Sequence, residues 1–189
     1  MVDHFPSPFR WFRLKWRVRF LTVIFFLCVF HTRADPFDEH KNARAIVFVF
    51  VSNECPIANR YAPEIERMHK WYASNQIAFI LVHSDPSETQ QAIDKHTRDY
   101  GFSCKVVRDA DQRLARKAGA TVTPEAAVFL PNGKRVYRGR IDNRYAALGK
   151  ARPEPTERDL QAALDAIVQG KPVRKSETRA IGCYIPFPK

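Results

Sequence analysis

Two uninterrupted apolar runs constrain the fold of this chain more than any other feature. Residues 46–51 (IVFVFV) and 77–82 (IAFILV) are rich in β-branched and aromatic side chains. Such runs are typical of strands buried on both faces of a sheet. Between them, apolar residues recur every three or four positions, which predicts a helix with one face toward that sheet. The apolar face consists of Ile57, Tyr61, Ile65, Met68 and Tyr72.

A strand, a helix and a second buried strand predict a parallel β-α-β unit, and the next segment continues this pattern. Ser87 and Gln90 form a capping pair for a second helix that ends near Gly101. A short strand near residues 106–107 and a helix over residues 111–118 follow. The alternation predicts an α/β domain of three layers.

The second half of the chain changes from helical crossovers to a hairpin. Two apolar runs flank an Asn132-Gly133 pair, which is a strong signal for a tight turn between antiparallel strands. Thr156 is predicted to cap a closing helix that ends just before Gly170. Residues 171–189 contain three prolines and are predicted to form an extended tail.

Residues 1–34 have the organisation of a secretory signal. They hold six of the 31 lysines and arginines of the 189-residue chain but only one of its 20 acids, and most of these cations precede an apolar run at residues 20–30. That run is shorter than the about 20 residues of a membrane span. Cleavage near Ala34 is the preferred interpretation, and an uncleaved anchor associated with the membrane is the alternative. The remaining charge is spread along the chain, so no nucleic-acid partner is predicted.

Export has a consequence for the cysteines, because an exported protein meets an oxidising compartment such as the periplasm, where disulfides persist. Cys55, Cys104 and Cys183 follow the predicted signal. Three is an odd number, so at most one intramolecular bridge forms at a time.

Cys55 is the candidate catalytic residue. It lies just after the first buried strand, at the start of the following helix. Unpaired backbone N–H groups and the positive end of the helix dipole favour the thiolate there. Strand-to-helix turns at the carboxyl edge of a parallel sheet are also where such folds usually place their chemistry.

The residues around Cys55 resemble those of the thioredoxin superfamily. Ser52, Asn53 and Pro56 surround Cys55 in the segment SNECP, and Pro63 follows eight residues after the cysteine. The segment Val122-Thr123-Pro124 is similar to the cis-proline loop of the superfamily, which lies against the active-site cysteine.

The resemblance covers about residues 45–170 and implies a thioredoxin-like three-layer α/β fold with a central mixed sheet, an inserted αβ unit and a hairpin after the cis-proline. The inserted unit resembles that of redoxins of the alkyl hydroperoxide reductase/thiol-specific antioxidant type. The segments GRIDNR at residues 139–144 and GCYI at residues 182–185 are similar to those of an exported bacterial redoxin group.

Two departures from the superfamily pattern affect the expected chemistry. Ala58 stands where thioredoxins carry the second cysteine of C-x-x-C, so that pair cannot act as a dithiol. Ser52 fills the hydroxyl position of the peroxiredoxin motif, but Phe48 stands where that motif has proline. Disulfide exchange and peroxide reduction therefore both stay open.

The resemblance also bears on how the cysteines pair. Cys104 precedes a strand and is expected at the sheet edge opposite Cys55. By the superfamily topology the closing helix delivers the tail toward that opposite edge. A structural Cys104–Cys183 bridge is the preferred expectation. The alternatives are that Cys183 resolves Cys55, that Cys104 resolves Cys55, or that no stable bridge forms.

Three further residues are possible auxiliaries at the edge where Cys55 lies. His83 follows a buried strand and could act as a base or a metal ligand, although a solvent-facing loop histidine is the favoured interpretation. Arg140 and Arg144 follow the last strand and could stabilise a Cys55 thiolate, or could form a solvated cluster of ion pairs.

The function predicted from the sequence is an exported, thiol-dependent oxidoreductase with Cys55 as nucleophile. Its partner would be a thiol or disulfide protein or a small peroxide, with an external thiol as reductant, and no cofactor or metal is predicted. The alternatives are a copper-handling module or a redox-inactive binding domain on the same fold.

Overall fold

The computed structural model describes Met1 and residues 35–188. The predicted signal or anchor lies outside the described residues. The helices are α1 Pro36–Glu39, α2 Pro56–Ala73, α3 Gln90–Asp99, α4 Arg113–Ala118 and α5 Asp159–Val168. The strands are β1 Ala45–Val51, β2 Ile77–His83, β3 Lys105–Arg108, β4 Val122–Thr123, β5 Glu125–Phe129, β6 Arg135–Gly139, β7 Tyr145–Ala147, β8 Lys150–Ala151 and β9 Cys183–Tyr184.

The central sheet is mixed and has the strand order β3-β2-β1-β5-β6. Strands β1, β2 and β3 are parallel, whereas β5 runs antiparallel to both β1 and β6. All seven residues of β1 are buried, as its uninterrupted apolar sequence predicts. This arrangement confirms the predicted thioredoxin-like α/β fold.

Successive side chains of β1 pack into two separate cores, because side chains of a strand alternate between the faces of a sheet. Val47 and Val49 belong to the core that contains residues of α2 and α5, including Leu164. Ile46, Phe48 and Phe50 belong to the opposite core, which also contains residues of α1 and α4. Helices therefore cover both faces of the sheet, and the architecture has three layers.

Two helix starts differ from the sequence prediction. Thr89, not Ser87, caps α3 by accepting a hydrogen bond from the Ala92 N–H. Ser87 instead donates from its N–H and its hydroxyl to Asp85, at 2.8 and 2.6 Å. Thr156 lies before α5 without capping it. Its hydroxyl instead accepts from the Asn143 amide at 2.8 Å, so a hydrogen bond elsewhere occupies each side chain that the sequence pattern assigned to a helix cap.

The tail after α5 does not run to the sheet edge near Cys104. The Ser176 carbonyl accepts from the Arg138 N–H at 2.9 Å, and the Thr178 N–H donates to the Arg138 carbonyl at 3.0 Å. These bonds place the tail alongside β6. Further on, β9 pairs with β4 in antiparallel register. The tail thus returns to the edge at which β1 ends.

Candidate functional site

Cys55 is the N-cap residue of α2, directly after the buried strand β1 and the turn that follows it. Its sulfur accepts a hydrogen bond from the Ala58 N–H at 3.5 Å, and its thiol donates to the Thr123 carbonyl at 3.0 Å. Pro56 occupies the first helical position, where the missing N–H costs nothing. Cys55 is 1% exposed, so it is covered in this conformation.

The Thr123–Pro124 peptide bond is cis, as the resemblance predicted. Glu125, which follows Pro124, stabilises the loop that contains this bond. Its buried carboxylate accepts hydrogen bonds from the backbone N–H groups of Thr121 and Val122, at 2.8 and 3.4 Å. This arrangement aims the Thr123 carbonyl at the Cys55 sulfur.

Cys183 lies opposite Thr123 in the β4–β9 pair, so the tail brings a second cysteine to Cys55. The two thiols interact directly, side chain to side chain. Burial acts against ionisation of Cys55, but hydrogen bonds from Cys183, from the Thr123 side chain and from the Ala58 N–H outweigh it and lower the pKa of the Cys55 thiol. Burial and the adjacent Cys55 sulfur raise the pKa of Cys183 to about 11. The two thiols therefore differ in acidity, with the pKa lowered at Cys55 and raised at Cys183.

The expected Cys104–Cys183 bridge is not present, and the three cysteines of residues 35–188 are all free. Cys104 precedes β3, which is parallel to β1 and β2, and so lies at the edge opposite Cys55 as expected. The prediction of a Cys104–Cys183 bridge is wrong because the tail returns along β6 instead of continuing to that edge. Burial and the Glu66 carboxylate raise the pKa of the Cys104 thiol to about 11.

Ser52 and Asn53 form the turn that leads into Cys55, and a buried carboxylate holds both of them. Glu88 Oε1 accepts from the Ser52 hydroxyl and from the Asn53 N–H, each at 2.8 Å. Burial opposes ionisation of Glu88, yet hydrogen bonds from His83, Asn53 and Ser52 lower the pKa of this carboxyl below its ordinary value. The turn before the nucleophile is therefore fixed by an anionic acceptor beneath it.

His83 supplies the second half of this support. It is fully buried, so the favoured interpretation as a solvent-facing loop histidine is wrong. Its Nδ1 lies 2.6 Å from Glu88 Oε2, and its ring packs edge-on against that of His96. His83 thus acts on the turn through Glu88, and no contact joins it to Cys55 among the described interactions.

A second set of contacts holds the same turn from the side of α2. Asn59 donates from its amide to the Asn53 carbonyl at 3.0 Å, and its Oδ1 lies 2.8 Å from His96 Nε2. Burial and the neighbouring His83 lower the pKa of His96 to about 4. His96 is therefore neutral near neutral pH and donates to Asn59.

The two candidate arginines are held by carboxylates. Arg140 contacts Asp159 at 2.6 Å and Glu157 at 2.7 Å, and Arg144 lies 3.4 Å from Glu154. Of the two roles considered for these arginines, the structure supports the cluster of ion pairs. Hydrogen bonds, with no contribution from an arginine, favour the Cys55 thiolate.

Sequence reasoning missed Glu88, Asn59 and Glu125 as site residues. Glu125 carries a usable signal, because it is the single charge in the otherwise apolar strand EAAVF directly after Pro124. Glu88 lies in a polar segment and Asn59 on a helix face where asparagine is ordinary. Neither has a sequence signal that separates it from a surface residue.

The described part of the chain offers neither a cluster of metal ligands nor a helix that could span a membrane. Residues 35–188 contain no group of three or more histidine, cysteine or acidic side chains placed to hold a metal ion. In the same part of the chain, no helix combines the length and apolar character needed to cross a membrane.

Comparisons with known proteins agree with the fold. A family profile described as thioredoxin-like matches residues 42–135, and no curated protein matches the sequence. A hypothetical protein from Sinorhizobium meliloti has a similar structure, with a TM-score of 0.70, 29% identity and coverage of 80% of this chain and 84% of that chain.

An uncharacterised protein from Geobacillus kaustophilus is also similar, with a TM-score of 0.68, 28% identity and coverage of 76% of this chain and 77% of that chain. A thioredoxin-like protein solved in its oxidised form shares the fold at 15% identity, with a TM-score of 0.51 and coverage of 68% of this chain and 80% of that chain. The matched segment includes β1, Cys55 and the cis-proline loop. The chain belongs to the thioredoxin superfamily.

Proposed function

We propose that this protein is a thiol–disulfide oxidoreductase whose redox-active pair is Cys55 and Cys183. The observation that carries the proposal is the β4–β9 pairing, which places Cys183 opposite Thr123, the residue whose carbonyl accepts from the Cys55 thiol. The second cysteine that is missing at Ala58 is thus supplied by the tail.

The difference between the two thiols suits such a pair. In the reduced pair, Cys55 is the sulfur that ionises more readily, and the protonated Cys183 thiol is its hydrogen-bond donor and its partner in the disulfide. When the pair is oxidised, an S–S bond forms between Cys55 and Cys183, and two electrons pass to the substrate disulfide. One proton comes from Cys183, and the second comes from Cys55 or, where Cys55 is already ionised, from solvent. That substrate leaves as two thiols. The reverse reaction oxidises a substrate dithiol.

Disulfide exchange is favoured over peroxide reduction by the position of Ser52. The peroxiredoxin motif requires a hydroxyl three residues before the cysteine. In this structure the Ser52 hydroxyl donates to Glu88 instead, at 2.8 Å. That hydrogen bond supports the turn and leaves no proton of Ser52 directed at a peroxide on Cys55.

The basic and apolar order of residues 1–34 supports a site of action outside the cytoplasm, in a compartment such as the periplasm. An external thiol or dithiol would then exchange electrons with the pair. A comparison of the mature amino terminus with the encoded one tests whether cleavage near Ala34 occurs.

The redox pair is tested by mapping the disulfide of the oxidised protein and by titrating it against glutathione. We expect one bridged peptide, Cys55 to Cys183, and a single two-electron transition. Cys55→Ser and Cys183→Ser should each abolish that transition, while the control Cys104→Ala should keep it. A Cys104-containing bridge in the mapped protein, or a transition that survives Cys183→Ser, would overturn the proposal.

A further inference from the structure

The two sulfurs of the proposed pair differ in access. Cys55 is buried under the cis-proline loop and the tail, and its sulfur is surrounded by the Thr123 carbonyl, the Ala58 N–H and Cys183. Cys183 is only partly buried. A sulfur that arrives from solvent therefore meets Cys183 first.

We propose that the redox partner exchanges its sulfur with Cys183, and that Cys55 reacts only inside the protein. The inference rests on the proposed function, because it takes the Cys55–Cys183 disulfide as given. In this assignment Cys183 forms the mixed disulfide with the partner. The strand-to-helix position of Cys55, taken alone, would instead suggest that Cys55 forms it.

The trajectory of disulfide exchange supports this assignment. An attacking thiolate approaches one sulfur along the extension of the S–S bond, on the side away from the leaving sulfur. For attack on Cys183, the leaving sulfur is the deeper one, so the approach comes from the exposed side. For attack on Cys55, the approach would have to come through the groups that cover it, including Thr123 and Ala58.

In the exchange, two electrons pass from a partner dithiol to the Cys55–Cys183 disulfide. A partner thiolate attacks Cys183 Sγ, the Cys55–Cys183 bond breaks, and its electron pair stays on Cys55 as a thiolate. A second thiolate of the partner then attacks the partner sulfur of the mixed disulfide, and Cys183 leaves. The partner dithiol has become a disulfide, and the protein has gained two electrons as one thiolate and, after protonation, one thiol.

The acidities of the two sulfurs favour the same order of events. A leaving thiol of low pKa leaves faster, and the hydrogen bonds that lower the pKa of Cys55 make it the better leaving group. In the reverse direction, Cys183 must lose its proton before it attacks a substrate disulfide. The adjacent Cys55 thiolate accepts that hydrogen bond and can take the proton.

The surface next to Cys183 leaves room for a partner. A groove of about 800 Å³ is lined by Gly182 and Tyr184, the two neighbours of Cys183 in the tail, and by Val122 of β4. No residue of α2 lines this groove. Cys183 does not itself line the groove, so a partner that lies there contacts the residues that flank the tail cysteine.

Single-cysteine variants test the assignment, with glutathione disulfide as the probe. Both carry Cys104→Ala, and one has Cys55→Ser while the other has Cys183→Ser, which keeps a hydroxyl donor beside Cys55. Stopped-flow rates from about pH 6 to about pH 10 are divided by the thiolate fraction, so that each sulfur is compared in its reactive form. Far-ultraviolet circular dichroism and a melting curve confirm that each variant is folded.

We expect Cys183, in the Cys55→Ser variant, to form the glutathione mixed disulfide at least about a hundredfold faster per thiolate than Cys55 does in the Cys183→Ser variant, which exceeds the about tenfold that the greater basicity of the Cys183 thiolate gives by itself. A ratio of about tenfold or less, or a faster Cys55, overturns the inference while leaving the proposed redox pair intact. If the wild-type protein does not form the Cys55–Cys183 disulfide, the proposed function fails instead. The disulfide map therefore separates the two failures.

Discussion

Gly182 lies so close to Thr123 that a Cβ atom at position 182 would overlap the Thr123 carbonyl group. The tail can pack this closely against Thr123 because glycine has no side chain that would collide with the carbonyl group. The neighbouring Cys183 owes its position beside Cys55 to that approach.

Gly182→Ala is therefore expected to lift the tail from β4 and to separate the two sulfurs without changing either. The Cys55–Cys183 disulfide should form at least about tenfold more slowly in a glutathione redox buffer, since exchange rates depend on access and alignment. In the Cys183→Ser background, the same change should speed alkylation of Cys55 because the cover is removed.

Gly170→Ala is the matched control for Gly182→Ala. Gly170 lies at the start of the tail, and nothing lies within 4 Å of a Cβ built there. Its positive φ of 67° gives alanine a backbone cost of about 1 kcal/mol, with no clash. If the Cys55–Cys183 disulfide forms more slowly in both variants, then general destabilisation, and not the contact at Thr123, determines the rate.

A second prediction concerns the carboxylate beneath the turn. Glu88→Ala leaves the Ser52 hydroxyl, the Asn53 N–H and His83 without their acceptor. Loss of one partner from a buried polar network costs about 3 kcal/mol, and we expect a decrease of that size in the free energy of unfolding in urea. Glu88→Gln keeps one carbonyl acceptor for the turn and should lose about half as much. Equal losses would mean that the hydrogen bonds to the turn contribute nothing.

A third prediction follows from the buried His96. Its pKa falls to about 4 in the folded protein, so between pH 6.5 and about 4 the unfolded chain binds more protons than the folded one. The free energy of unfolding must therefore fall as the pH is lowered through this window, and the contribution of His96 is present above it. The expected loss is about 1 to 3 kcal/mol between pH 7 and pH 4.

Urea unfolding at several pH values measures this dependence. His96→Gln is the informative variant, because glutamine can still donate to Asn59 but does not titrate. It should flatten the profile between pH 6.5 and about 4, relative to wild type. An unchanged slope would assign the acid sensitivity to other groups. Glu88, whose pKa is lowered in the folded state, loses its own contribution as the pH falls below its ordinary value of 4.5, so most of the window reports on His96 alone.

The sheet and its helices could be predicted from the sequence because β1 and β2 carry uninterrupted apolar runs and α2 carries a regular apolar face. These are patterns within a single element, and burial follows directly from them. The path of the tail could not be predicted in this way. It depends on close approaches at Gly139 and Gly182 and on hydrogen bonds to β6, which involve residues about 40 to 60 positions apart in the chain.

The residues of the candidate site differ in the same way in how far the sequence predicts them. Cys55 and the cis bond before Pro124 were predictable, because a strand-to-helix position and a family motif mark them. The support from Glu88 was not, and the position of Cys183 beside Cys55 was only one of several alternatives, because each depends on which groups meet after folding. His83 shows the difference: its place after β2 was predicted, but its burial against Glu88 and His96 requires the position of α3.

The last prediction concerns the groove beside Cys183. Tyr184 and Leu148 are large apolar residues on its lining, and Tyr184 is 84% exposed. If a polypeptide partner lies there, its side chains cover this surface, and loss of one aromatic contact costs about 1 to 2 kcal/mol of binding. Tyr184→Ser should therefore slow exchange with a ten-residue peptide disulfide by about tenfold while leaving glutathione disulfide unaffected, since glutathione is too small to fill the groove. Trp71→Ser is the control, because Trp71 is 66% exposed on α2 and does not line the groove. An equal effect of Tyr184→Ser on both probes would place Tyr184 in the support of the tail and not in contact with the partner.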